Sequence, residues 1–208
     1  LEAVLLDRRQ TDAAAFFGRV GGEWDDVRRE LFGDGFTASA LLGLIPEEWT
    51  VADIGCGTGD ASRHLAPLVH RVIAVDREPA MLEAARRRLE NAPNVDYRLG
   101  DLHALPIDDA AIDAAIVSLV MHYLEHPARA CGEIARCLRP GGRLVIIDML
   151  AHDRDAYRLR MGHVHMGFDE PDVAAWASAS GLELRRFRSL PRDTETKGPG
   201  LFAADLRR

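Results

Sequence analysis

The stretch Val51-Ala52-Asp53-Ile54-Gly55-Cys56-Gly57-Thr58-Gly59 decides how the rest of the chain is read. A short apolar run of strand character passes directly into three glycines at alternate positions, and a helical pattern follows. Glycine at a strand-to-helix junction lets the backbone turn sharply and lets a ligand approach where a Cβ would stand. The spacing is G-x-G-x-G; Asp60 holds the place of the third glycine of a dinucleotide fingerprint. Asp53 also puts a carboxylate near where an anionic pyrophosphate would lie, so a nicotinamide dinucleotide is disfavoured. A carboxylate beside such a loop suits a ligand carrying an ammonium group. Taken alone, the loop also permits a tight turn that binds nothing.

Outward from this loop, apolar runs alternate with helical patterns of about a dozen residues, the signature of β-α-β units on a parallel sheet. Strands are expected near 50–54, 71–75, 95–99, 112–118 and 143–148, and helices near 59–69, 78–91 and 127–138. Pro79 suits a first helical turn. Arg139-Pro140-Gly141-Gly142 stops the last of these helices and turns into a strand. A polar stretch, 151–167, precedes a helix opening at Asp169-Glu170-Pro171 and ending at Gly181. Two closing strands, near 182–189 and 201–206, bring the total to seven. Upstream, residues 1–46 are helical in pattern and too few for a confident core of their own. The expected organisation is a helical lid, 1–46, in front of an α/β domain, 47–208.

Composition bounds the function. The 208 residues carry 26 basic and 33 acidic side chains, a net charge of −7, with 47% hydrophobic residues. A chain of this length buries roughly 70% of its unfolded surface, so disulfides and structural metals are not required. The acids are dispersed, which argues against duplex DNA or bulk RNA as partner, since those complexes need clustered Lys and Arg. Three cysteines, none paired as C-x-x-C, indicate a reducing compartment; with no span-length apolar run and no secretion signal, a cytoplasmic, non-membrane protein is expected. The chain opens at Leu1 without an initiator Met, as a processed chain or part of a longer one would.

Two further acids stand at strand ends. Asp76 closes Val72-Ile73-Ala74-Val75, 23 positions beyond Asp53, where a carboxylate can accept from both hydroxyls of a ribose; capping the next helix is the competing role. Asp101, after Leu99-Gly100, can accept from an exocyclic amine or serve as an ordinary turn residue.

With Ser118 to His122 and Arg139-Pro140-Gly141-Gly142 added, these motifs resemble, in order, those of class I S-adenosylmethionine-dependent methyltransferases. The resemblance implies a Rossmann-like, seven-stranded, mostly parallel sheet of order 3-2-1-4-5-7-6 with the last strand antiparallel and helices on both faces. It implies S-adenosylmethionine as cofactor, released as S-adenosylhomocysteine. The expected contacts are Asp53, Gly55, Cys56, Gly57, Thr58 and Gly59 from the loop; Asp76, Arg77 and Met81; Gly100, Asp101 and Leu102; Ser118; and Phe17 and Trp24 from the lid. The ends of the chain, including Phe16-Phe17, Trp24-Asp25 and the run from Met161 to Asp169, are similar to methyltransferase domains fused behind ArsR-type winged-helix regulators. That likeness brings in a rival role, a domain that senses S-adenosylmethionine or S-adenosylhomocysteine for a DNA-binding module.

Acceptor class follows by exclusion. Ser118-Leu119-Val120-Met121-His122-Tyr123 is not the Asn/Asp-Pro-Pro-aromatic pattern of base-amine methylation, no Pro-Cys nucleophile is present, and the cysteines are not disposed for arsenic. A small, apolar or ring-bearing acceptor remains. His122, His163 and His165 are the candidates for a catalytic base, with one of the last two facing the pocket if the backbone there is extended. A metal site joining His163 and His165 to His152, Asp148 or Asp169 lacks a fixed third ligand, and none is expected. The other partners expected are a second copy of the chain or a fused or separate DNA-binding domain.

Overall fold

A computed structural model describes residues 23–33, 35–154, 156–192 and 196–208. The chain divides into two compact units, Leu1–Leu44 and Ile45–Arg208. In the first, α1 (Trp24–Phe32) and α2 (Phe36–Leu41) are separated by Gly33, whose φ of 75° suits glycine, and the rings of Phe32 and Phe36 meet edge-on at 6.1 Å. Trp24 is the first residue of α1; Phe17 lies outside the described residues.

The second unit is a single seven-stranded sheet of order β3-β2-β1-β4-β5-β7-β6. Its strands are β1 (Thr50–Ile54), β2 (Arg71–Asp76), β3 (Val95–Leu99), β4 (Ile112–Ser118), β5 (Leu138–Met149), β6 (Glu183–Ser189) and β7 (Leu201–Arg207). β1 to β5 pair in parallel, and β7 runs antiparallel to both β5 and β6. β1, β2 and β4 are covered on both faces, which is why they read as near-continuous apolar runs rather than alternating ones. β6, the edge, carries Glu183, Arg185, Arg186 and Arg188, charges that discourage pairing with another chain.

Helices α3 (Asp60–Leu65), α4 (Pro79–Arg88), α5 (Pro127–Cys137), α6 (Ala156–Met161) and α7 (Glu170–Ser180) connect the strands. Pro79 and Pro127 open their helices, as their fixed φ allows. α7 starts with a capping box between Asp169 and Asp172 and ends on Gly181 in the left-handed conformation. The main core joins β1, β2, β4, β5 and β7 to α5 and α7 through Ile54, Val117, Ile134, Leu144, Trp176 and Phe202.

Two expectations need correction. α3 ends at Leu65, four residues early, because Pro67, just past the helical Ala66, has no N–H with which to continue the ladder. β5 begins at Leu138 rather than 143: Ile112 pairs with Leu138 and Ala114 with Arg143, so Arg139–Gly142 bulge out of the ladder without ending it. Within the polar 151–167 stretch, Ala156–Met161 form one short helix. Among the described residues no helix is long and apolar enough to cross a membrane.

Candidate functional site

The sheet order reverses between β1 and β4, and in open α/β sheets ligands bind beyond the carboxyl ends of the strands at such a point. The register aligns these ends: Ile54 lies beside Val75 on one side and Val117 on the other, and Ser118 beside Ile147. The loops after β1 to β5 therefore share one edge.

The three loop glycines have three different reasons. Gly55 (φ +68°) lies so close to the segment after β4 that an added Cβ would stand 2.5 Å from Val120 Cγ2. Gly59 (φ +79°) lets α3 pack on α4, where a Cβ would meet Leu89 at 2.8 Å. Gly57 (φ +52°) faces open space, with nothing within 4 Å of its would-be Cβ, which leaves its backbone accessible to a ligand.

Each nearby acid is tied into the backbone. Asp53, 2% exposed, accepts through Oδ2 from the Ser62 amide (2.9 Å) and hydroxyl (2.6 Å), so it clamps α3 to β1. Burial pushes its pKa above the usual carboxylate value, against the pull of the Ser62 hydrogen bonds. Asp76 accepts from Gly57 N–H through Oδ2 (2.8 Å) and from Glu78 N–H through Oδ1 (2.9 Å). It therefore fixes both the glycine loop and the turn that leads into α4, and each oxygen keeps a lone pair. Asp101 accepts from the His103 amide (2.8 Å), which with the His103 ring holds its carboxyl below the usual range, while its side chain stays half exposed.

Of the other expected contacts, Arg77 is exposed and pairs with Glu78, Met81 is exposed in the first turn of α4, and Thr58 accepts from Arg88. Ser118 ends β4. Leu102 puts its side chain into the core, leaving only its backbone for a ligand. Gly100 is required by packing, since a Cβ there would stand 2.4 Å from Pro106. Cys56 is buried against Ala74 and Leu82, and burial pushes its thiol up to about 12.

Beyond β4 and β5 the structure gathers a second group. His122, in the short 3-10 turn Met121–Tyr123, is buried, and its Nδ1 lies 2.8 Å from Oδ1 of Asp148 near the end of β5, itself fully buried. The His122 ring is 4.2 Å from those of both Tyr123 and His163; Tyr157 of α6 lies 5.4 Å from His163 and from His152. The backbone carbonyl of His122 accepts from the amides of Val164 and His165, which seats the 162–168 segment against the end of β4. Gly167 (φ +79°) lets the same segment approach the end of β5, where a Cβ would meet the Leu150 carbonyl. His163 and His165 part company. His163 joins the cluster, whereas His165 Nε2 is held 3.0 Å from the Leu124 carbonyl and its ring packs on Phe168, so the structure does not bring it to the His122 group. Asp169 is spent on the α7 cap and does not join His152 and Asp148.

Burial, followed by the neighbouring His122, holds the His163 pKa below that of free imidazole, and burial does the same for His152. Three buried atoms here have no hydrogen-bond partner: Asp148 Oδ2, His152 Nε2 and His163 Nδ1. The pairing of Asp148 with His122 was not foreseen. Its signal was present in the sequence, since Asp148 stands near the carboxyl end of β5 as Asp76 does at the end of β2.

The sheet order and the glycine loop at its switch point agree with what comparison with known proteins finds. Residues 52–146 match the family described as methyltransferase domain. The demethylmenaquinone methyltransferase of Clavibacter sepedonicus is 37% identical over 217 aligned positions, covering 89% of this chain and 88% of that protein. That of Renibacterium salmoninarum is 32% identical, covering 69% of this chain and 61% of that protein. Among solved structures, an S-adenosylmethionine-dependent methyltransferase from Aquifex aeolicus superposes with a TM-score of 0.68 at 23% identity, covering 86% of this chain and 92% of that one, a likeness of fold. The chain belongs to the methyltransferase domain family. It spans less than two thirds of the length of several curated relatives that it matches.

Proposed function

We propose that this chain transfers the methyl group of S-adenosylmethionine to a small-molecule acceptor. The observation that carries the reading is the Gly57 turn, open on its ligand side and held by Asp76, which keeps lone pairs available where a ribose would lie. The residues fit the cofactor: Asp76 would hold the ribose hydroxyls, Asp101 and the Leu102 amide the adenine, and the Gly55–Gly59 backbone the amino acid moiety, with Asp53 supporting the loop from behind. When bound, the cofactor supplies an electrophilic methyl on a sulfonium centre. Charge disperses in the transition state of such a displacement, so the chain contributes chiefly by aligning the reactants and excluding water. The aromatic rings after β4 and β5 suit the second task. The name of the Clavibacter sepedonicus relative refers to a small-molecule acceptor, which supports the same class here.

Calorimetric titration with S-adenosylhomocysteine tests the reading. Binding that is lost in Asp76→Ala, with the fold retained by circular dichroism, is expected; absence of binding by the wild-type chain would overturn it. Binding without turnover across thiol, phenol and quinone panels would favour the cofactor sensor.

A further inference from the structure

We propose that the group around His122 is the acceptor site, that it takes a neutral hydroxyarene, and that His122 Nε2 is the base receiving the hydroxyl proton. The inference rests on the methyl-transfer reading above and names its substrate class.

Asp148 sets the tautomer. Its Oδ1 accepts from the Met149 amide at 2.7 Å as well as lying 2.8 Å from His122 Nδ1, so the backbone fixes the carboxylate and Nδ1 carries the proton. Nε2 is left with the lone pair, and among the described residues nothing bonds to it. A fully buried carboxylate behind the ring also stabilises the imidazolium once the proton arrives. Asp148 is thus a positioning residue, and His122 the catalytic one.

The surroundings select the acceptor. The rings of His122, Tyr123, His152, Tyr157 and His163 lie at centroid distances of 4.2 to 5.4 Å along a connected series, a surface suited to a flat conjugated molecule. The three unpartnered buried atoms offer one carboxylate oxygen and two imidazole nitrogens. Buried polar groups in native proteins nearly always have partners, and a hydroxyl, as both donor and acceptor, can serve either kind. The surroundings do not suit an anionic acceptor: the Asp148 carboxyl group lies among them, and burial keeps His163 and His152 from ionising readily. The Arg154 guanidinium donates to the Tyr157 hydroxyl and the Lys197 carbonyl.

The step balances. The acceptor O–H bond breaks and its proton forms a bond to His122 Nε2. The pair left on oxygen forms the bond to the methyl carbon as the carbon–sulfur pair returns to sulfur, which ends as a neutral thioether. The imidazolium then returns its proton to solvent.

The test uses the whole chain saturated with S-adenosylhomocysteine and 4-nitrophenol as probe, whose phenolate is read by its visible absorbance. Bound probe is expected to ionise about one pH unit below free probe, a roughly tenfold change in its ionisation constant, because the base stabilises the phenolate. Asp148→Asn and His122→Asn should lose that shift while keeping wild-type affinity for S-adenosylhomocysteine, which also shows that they are folded. The wild-type chain decides by itself. If it binds S-adenosylhomocysteine but not 4-nitrophenol, binds the probe with unshifted ionisation, or binds 4-nitrobenzoate as tightly, this inference is overturned and the methyl-transfer reading stands. If S-adenosylhomocysteine does not bind at all, the underlying reading fails.

Discussion

The loops after β1 to β3 and the loops after β4 and β5 lie on one edge of the same sheet but are finished differently. In the first group every acid already has a backbone donor: Asp53 takes Ser62, Asp76 takes Gly57 and Glu78, and Asp101 takes His103. In the second group Asp148 also has one, from Met149, but three buried polar atoms have no partner, against one, His103 Nε2, in the loops of the first. A ligand that is the same in every turnover rewards a site assembled in advance, because little ordering remains to oppose binding. A site with open hydrogen-bonding capacity obtains its selectivity from the molecule that completes it, and it rejects analogues that lack the matching group.

The sharpest way to break the contrast is to overfill the prebuilt half. Gly55→Ala places a methyl 2.5 Å from Val120 Cγ2 at a positive φ, and a thermal melt should show roughly 2–4 kcal/mol of lost stability. Asp76→Ala leaves two amides without their acceptor and should raise the dissociation constant for S-adenosylhomocysteine roughly 30- to 150-fold, about 2–3 kcal/mol, in a calorimetric titration. An unchanged affinity would show that Asp76 serves only the chain. Gly57→Ala separates fold from function within the same loop: with open space around it only the backbone penalty applies, about 1 kcal/mol in a denaturant melt, so weakened cofactor binding should exceed the lost stability.

The second half can be probed through pH. His163 holds a proton less readily in the folded chain than as free imidazole, so below about pH 6.5 the unfolded chain binds more protons and stability falls as pH drops. His163→Phe should make the urea midpoint less sensitive between about pH 7.5 and 5.5; an identical pH dependence would mean the ring titrates freely. The smallest effect belongs to Arg77, which is exposed and paired with Glu78. Arg77→Ala should cost less than about 0.5 kcal/mol of stability and change cofactor affinity no more than about threefold by titration.

The two halves also differed in how far they could be read before the structure. The glycine loop, Asp76 and Asp101 are short-range features, each announced by the strand it ends, and the alternation of strands and helices points to the sheet order through a resemblance that spans the chain. The second half is long-range. His122 and Asp148 are 26 positions apart and meet only because Ser118 and Ile147 are neighbours in the β4–β5 ladder. His163 and His165 look alike in the sequence, and it is the Leu124 carbonyl that removes one of them from the group. Local rules also misjudged β5, because a bulge lets pairing continue on both sides of Arg139–Gly142.

Cys56 has a consequence for the survival of the molecule itself. It sits inside the loop proposed to receive a sulfonium compound, and a thiolate there would be a better nucleophile than most acceptors. Burial, reinforced by the charges of Asp53 and Asp76, keeps the thiol pKa at about 12. At neutral pH only about one molecule in 10⁵ then carries the reactive thiolate. The acids that shape the loop thus also guard it against self-alkylation, and intact-mass measurement after long incubation with S-adenosylmethionine should show no methyl added at Cys56.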